Sequence, residues 1–188
     1  LCDGDLESAE GYFSEGLALT ERIGLLPLGY GMYAALGAAR MLRGQYERAH
    51  AAFEAASQLP FEPNPGMIAN LTAYQAGARL LAGDRAAAGD AAHKALAILE
   101  NLAGTYTQDL IIDEACWWCY RALAAEQTTD EPGAQIPVAA WNALEQGLKA
   151  LLAPIGDLSD AGLRRSYLHR PPFRNLLIHA YLQHAPEH

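Results

Sequence analysis

The sequence predicts an all-α fold of stacked helical pairs, and three observations predict it. Apolar residues return along the chain at the i, i+3, i+4, i+7 spacing of a helix face. Alternating, strand-like runs are absent. One unit also recurs: Gly4, Gly44 and Gly83 each stand five residues before an alanine (Ala9, Ala49, Ala88) at the head of an apolar stripe. The steps of 40 and 39 residues lie in the range where a period means helical pairs stacked on one another rather than one globular core.

Leu6, Ala9, Phe13, Gly16, Leu17 and Leu19 form one face of a first helix from Asp5 to about Glu21, ended by Gly24. A second begins near Pro27, a residue suited to a first helical turn, and runs to Arg43 before Gly44 turns the chain. A third, from Gln45 to about Leu59, is stopped by Pro60, Pro63 and Pro65. Asn64 ahead of Pro65 caps a fourth that reaches Ala82. Gly83 leads into a fifth ending near Gly104, and a sixth starts at Thr107 or Gln108 and reaches Glu126. Gln127 to Gln135 carries no apolar period and reads as an exposed loop. Pro137 to Ala153 forms a seventh helix, Ser159 caps an eighth, and Pro171-Pro172 ends that one and opens a ninth to about His184.

At 188 residues and 51% hydrophobic, the chain can bury a sizeable core, which argues against disorder. No apolar run approaches the roughly 18 residues a bilayer span needs, and the acidic start is unlike a signal peptide, so the expected location is cytoplasmic. A net charge of −9 argues against nucleic-acid or anionic-membrane partners. That charge is uneven: residues 1–21 hold acids and no Lys or Arg, whereas Arg164, Arg165, Arg170 and Arg174 make a basic end fit to dock on an acidic neighbour. The chain opens at Leu1 on the second half of a repeat, which reads as a segment of something longer.

The repeat has a specific form. Tyr33-x-x-Leu36-Gly37-x-x-Arg40, then Gly44-x-Tyr46, Ala49-x-x-x-Phe53, Ala56 and Pro60 resemble the tetratricopeptide repeat, with Tyr33 where that family prefers Trp and Arg40 where it prefers an aromatic. Ala39-Arg40-Met41-Leu42 returns as Ala78-Arg79-Leu80-Leu81, followed by Ala88, Ala92 and Ala95; Gly37, Ala76 and Ala115 mark three successive units; and Ala140, Leu144 and Gly147 repeat the spacing of Ala9, Phe13 and Gly16. The resemblance implies an α-α superhelix, with half a repeat and three whole ones over 1–153 and a closing helical pair over 154–188. The steps exceed the usual 34 residues, as in long-helix segments of large bacterial signalling and regulatory proteins.

In this family the first helix of each pair lines the concave face. The register then places Met41, Asn70, Ala73, Leu80, Asp109, Ile112, Cys116 and Cys119 along a groove, beside Gly31, Ala34, Ala38 and Gly77. That groove is small and apolar, lacks the Lys, Arg and Asn clamp used to grip a terminal carboxylate except for Asn70, and suits an apolar helix or peptide from a partner or from another domain of the same polypeptide. Self-association and a small ligand in the same groove are the other occupants to weigh, and a stack closed on itself would leave no groove at all.

No chemistry is expected of the chain, and no catalytic residue, cofactor or metal is assigned. Cys116-Trp117-Trp118-Cys119 has the spacing of a redox pair or half a zinc site, but it lies mid-helix with no second pair, so packing is the expected role. Trp117, Trp118 and Tyr120 are expected in the core, one of them meeting the neighbouring unit at Trp141. His179 and His184, five apart, turn to different helix faces and read as surface histidines, and the phosphate-loop, nucleophile-elbow and dinucleotide motifs are absent. Asp113 and Glu114, adjacent on a helix, point apart.

Overall fold

The computed structural model describes residues 5–102, 111–126, 136–169 and 172–185. These residues form nine α-helices and no strand: α1 (Leu6–Ile23), α2 (Leu26–Leu42), α3 (Tyr46–Ser57), α4 (Pro65–Leu81), α5 (Arg85–Asn101), α6 (Ile112–Ala124), α7 (Val138–Leu152), α8 (Ala161–His169) and α9 (Pro172–His184). The fold is all-α. A short 3-10 turn, Ala153–Asp157, joins α7 to the segment before α8. The expected loop over 127–135, and the residues 107–110 assigned to the start of the sixth helix, lie outside the described residues.

Helices α2 and α3, α4 and α5, and α6 and α7 pack side by side, while α2 meets α4 and α4 meets α6. Two of the turns are built alike. Gly44 and Gly83 adopt φ of 73° and 90°, left-handed values that only glycine reaches without strain. Around them the Gln45 and Asp84 N–H groups donate to the Arg40 and Arg79 carbonyls at 2.9 Å, and the Gly44 and Gly83 N–H groups to those of Met41 and Leu80 at 3.0 Å. This is the Schellman arrangement that satisfies the last carbonyls of a helix. Both arginines then reach across the turn to a carbonyl eight residues on, Arg40 to Arg48 and Arg79 to Ala87, each at 3.3 Å. Each of the two turns therefore carries a hydrogen-bonding brace.

Small residues set the helix spacing. A Cβ on Gly37 would overlap the ring of Phe53, which is fully buried and stacks on Tyr74 of α4 with centroids 6.1 Å apart. Gly77 lies under Trp118, and Gly147 under Cys116 and Leu177, so glycine is what lets a large neighbour close down on each helix. The main core runs from Tyr30 through the buried alanines of α3 to α5 to Leu144, Leu151 and Leu177, and α9 shares it. Of the α6 aromatics, Trp118 meets the neighbouring unit as expected, at Gly77 of α4, while Trp141 stacks on Tyr181 of α9 at 5.0 Å.

The ends are held differently. Helix α1 rests on a separate cluster of Leu17, Leu36 and Ala52, and its buried Glu10 accepts from Arg40 at 2.9 Å and also pairs with Arg43 and Arg48. Helix α8 is exposed over most of its length and leans on α9. Its cap is Asp160 rather than Ser159: the Asp160 carboxylate accepts from the Leu163 N–H at 2.9 Å, one residue later than the pattern implied.

Candidate functional site

The expected groove is closed over most of its length. Met41, Ala73, Cys116 and Cys119 are 1% exposed or less, and Ala38 and Gly77 are buried as well, so none of these offers a surface to a partner. The cause is the small residues themselves: Ala73, Ala76 and Gly77 let α4 approach α6 until Trp118 fills the space between them. Leu80 and Ile112 are half-buried against the same core. Asp109 lies outside the described residues. The stack has closed on itself between α4 and α6.

Between α2 and α4 it has not. The seven residues from Gln58 to Asn64 include two prolines and hold the start of α4 away from α2, leaving a cleft of about 680 Å³. Asn64 starts α4 by accepting from the Met67 N–H at 2.9 Å, and Phe61 turns back to set its ring edge-on to Tyr30 with centroids 5.5 Å apart. Tyr30, Phe61 and Tyr74 thus form aromatic walls, with Met67 beside them and Leu28 and Ile111 at the rim. Gly31, Ala34 and Ala35 of α2 form a low floor. Asn70 also borders the cleft, and its side-chain oxygen accepts from the Ile111 N–H at 3.3 Å, supplying α6 with the cap its own sequence lacks.

The polar groups of these walls are engaged. The Tyr30 hydroxyl donates to the Met67 carbonyl at 3.2 Å, and burial pushes its pKa up to about 12. Tyr74 is held well above the ordinary tyrosine value by burial and then by the neighbouring Glu114 carboxylate. Burial likewise raises Glu114 to about 7, with the neighbouring Asp113 charge adding to the rise. Asp113 turns the other way and pairs with Arg174 of α9 at 2.7 Å. The first turn of α6 therefore joins the wall of the cleft to the closing helix.

Part of the basic end is likewise used within the chain. Arg174 donates to the Tyr167 carbonyl at 2.8 Å and lies over the Tyr167 ring at 4.0 Å, besides pairing with Asp113. It is an internal tie, not a docking residue, because α9 packs against the acidic start of α6. Arg164 donates to the Leu158 carbonyl at 2.6 Å from an exposed position, Arg165 is exposed, and Arg170 lies outside the described residues.

Burial raises both thiols of the Cys-x-x-Cys pair, Cys119 to about 12 and Cys116 well above its ordinary value, the opposite of what a nucleophilic thiol needs. No group of metal-ligating side chains comes together among the described residues. No described helix is long and apolar enough to cross a membrane. Sequence reasoning reached Gly31, Ala34 and Asn70 but missed Tyr30, Phe61 and Tyr74. The run Pro60-Phe61-Glu62-Pro63-Asn64-Pro65, too long for a tight turn and carrying a ring, was the available signal. Comparison of the chain with protein-family models, with curated proteins and with solved structures gave no match.

Proposed function

We propose that the chain is a tetratricopeptide-like stack, wound as an α-α superhelix, that serves as a non-catalytic interaction and coupling module of a multidomain signalling or regulatory protein. Its partner is a peptide or helix laid into the cleft between α2 and α4. The support for the repeat is the pair of matching glycine turns with their arginine braces. The single observation that carries the binding reading is Gly31. It stands in mid-helix, where glycine is unfavourable, and a Cβ there would meet nothing within 4 Å. Packing within the described chain does not require it, and it opens onto an apolar cleft where an incoming main chain could approach closely.

The volume of the cleft, about 680 Å³, favours one second reading, a sensor for a small ligand, since that volume also suits a compact organic molecule. The two separate by experiment. Selection of a displayed random-peptide library on the immobilised protein should return peptides whose binding is lost with Gly31→Trp, a change that fills the cleft without touching the core. If no selected peptide depends on Gly31, the peptide reading fails. Ala73→Arg would not serve, because Ala73 is 0% exposed and the substitution would break the core.

A further inference from the structure

We infer that the α2/α4 cleft receives a basic-apolar segment, a Lys or Arg side chain entering beside an apolar residue of a partner polypeptide. This rests on the peptide reading above and names what that peptide must carry. Charge favours such a segment. Among the described residues that line the cleft there is no cation, and the one charged group is the exposed Glu62. Glu114 stands behind the wall, close enough to Tyr74 for each to shift the other's titration. The groups facing Glu114 are Tyr74 from α4, Asp113 and the Trp118 indole from α6, and Arg174 from α9. Arg174 is already committed to Asp113, so an ionised Glu114 leaves this buried group one negative charge in excess.

Shape points the same way. A Lys or Arg side chain is an apolar stem with a charged end, and aromatic walls accept both parts: the stem by contact, the end by attraction to the ring faces. A terminal carboxylate or an acidic side chain would meet Glu62 and the Glu114 field with no cation to offset them. The low floor of Gly31, Ala34 and Ala35 leaves room for the main chain of the segment, and Leu28 and Ile111, both exposed at the rim, offer contact to its apolar neighbour.

The coupling to Glu114 makes the inference testable by pH. Lys and Arg keep their charge from pH 6 to pH 8, so with the peptide's amino terminus acetylated a change in affinity over that interval reports the protein. Glu114, raised to about 7, is largely neutral at pH 6 and largely ionised at pH 8. A cation seated one tyrosine ring away should then bind roughly fivefold tighter at pH 8. Glu114→Gln removes the charge and should flatten that dependence while the fold, followed by circular dichroism, is retained.

The experiment is the library selection at pH 8 with histidine-free peptides, followed by affinity measurement of the best binder at pH 6 and pH 8 on wild type, Glu114→Gln and Gly31→Trp. Enrichment of Lys or Arg beside an apolar residue among Gly31-dependent peptides, with a pH response that Glu114→Gln removes, is the expected result. Gly31-dependent peptides that are neutral or acidic would overturn the inference while leaving the peptide reading intact. A pH response unchanged in Glu114→Gln would overturn the role given to Glu114. Absence of any Gly31-dependent peptide would overturn both readings, and a Gly31-dependent dimer in sedimentation would assign the cleft to a second copy instead.

Discussion

Gly31 and Gly37 lie on the same helix and answer a methyl group in opposite ways. At Gly31 the added carbon meets open space and removes backbone freedom from the unfolded chain, so Gly31→Ala should stabilise by about 0.5–1 kcal/mol. At Gly37 it runs into the buried Phe53 ring, which has no free direction in which to move, and Gly37→Ala should destabilise by roughly 1–3 kcal/mol. Urea denaturation of the two variants measures the difference; equal signs would mean that α2 does not sit on α3 as described. That Gly37 and Phe53 both belong to the recurring pattern was legible, because that pattern repeats along the sequence, although it does not say that the two touch. The Arg40 contact with Glu10 was not, because the partner lies 30 residues away and nothing local in either segment names it.

The helices themselves followed from apolar period and turn residues, since both act over a few positions. Gly24, Gly44 and Gly83 all take the left-handed conformation that ended a helix in the reading of the chain. The cap of α8 moved by one residue because Ser159 and Asp160 are both good caps, and only geometry distinguishes them. At this scale α1 is attached apart from the main core, by a three-residue cluster and one buried carboxylate. The hydrogen bond from Arg40, then the charges of Arg48, Arg40 and Arg43, hold Glu10 below its ordinary value of 4.5 against the opposing effect of burial. A lowered folded value means that the stabilisation is complete above the unfolded pKa and is lost as pH falls through the folded one. Amide exchange in α1, taken relative to the intrinsic rate at each pH, should therefore accelerate below about pH 4.5 before that of α4 and α5, and Glu10→Gln should show the same loosening at neutral pH. Uniform acceleration across all helices would count against a separate α1 docking.

For the molecule as a whole, one arginine of the basic end visible in the sequence is taken up inside the fold. The basic end meets the acidic start of α6 through Arg174 and Asp113, whose side chains are 14% and 7% exposed. Removing one partner of such a pair leaves the other buried and uncompensated, so Arg174→Ala should cost about 3 kcal/mol and release α9. Adding Asp113→Asn should restore part of that loss; a double variant no more stable than the single one would mean that the pair is not what holds α9. What composition could not convey is where the stack closes and where it stays open. Ala73, Gly77 and Cys116 have the same small character as Gly31 and Ala34, yet the first three are buried and the last two line a cleft. The difference arises from Trp118, which fills one space, and from the proline-bearing connection, which holds the other apart.

That connection also has a mechanical meaning. Helices α4 and α6 meet along more of their length than α2 and α4 do, so the stiffness of the stack is not uniform from end to end. A load that bends it would concentrate its deflection at the α2/α4 joint, as in a beam with one thin section. A segment lying in the cleft would act there as a splint, and the two ends of the molecule would then move as one lever instead of two.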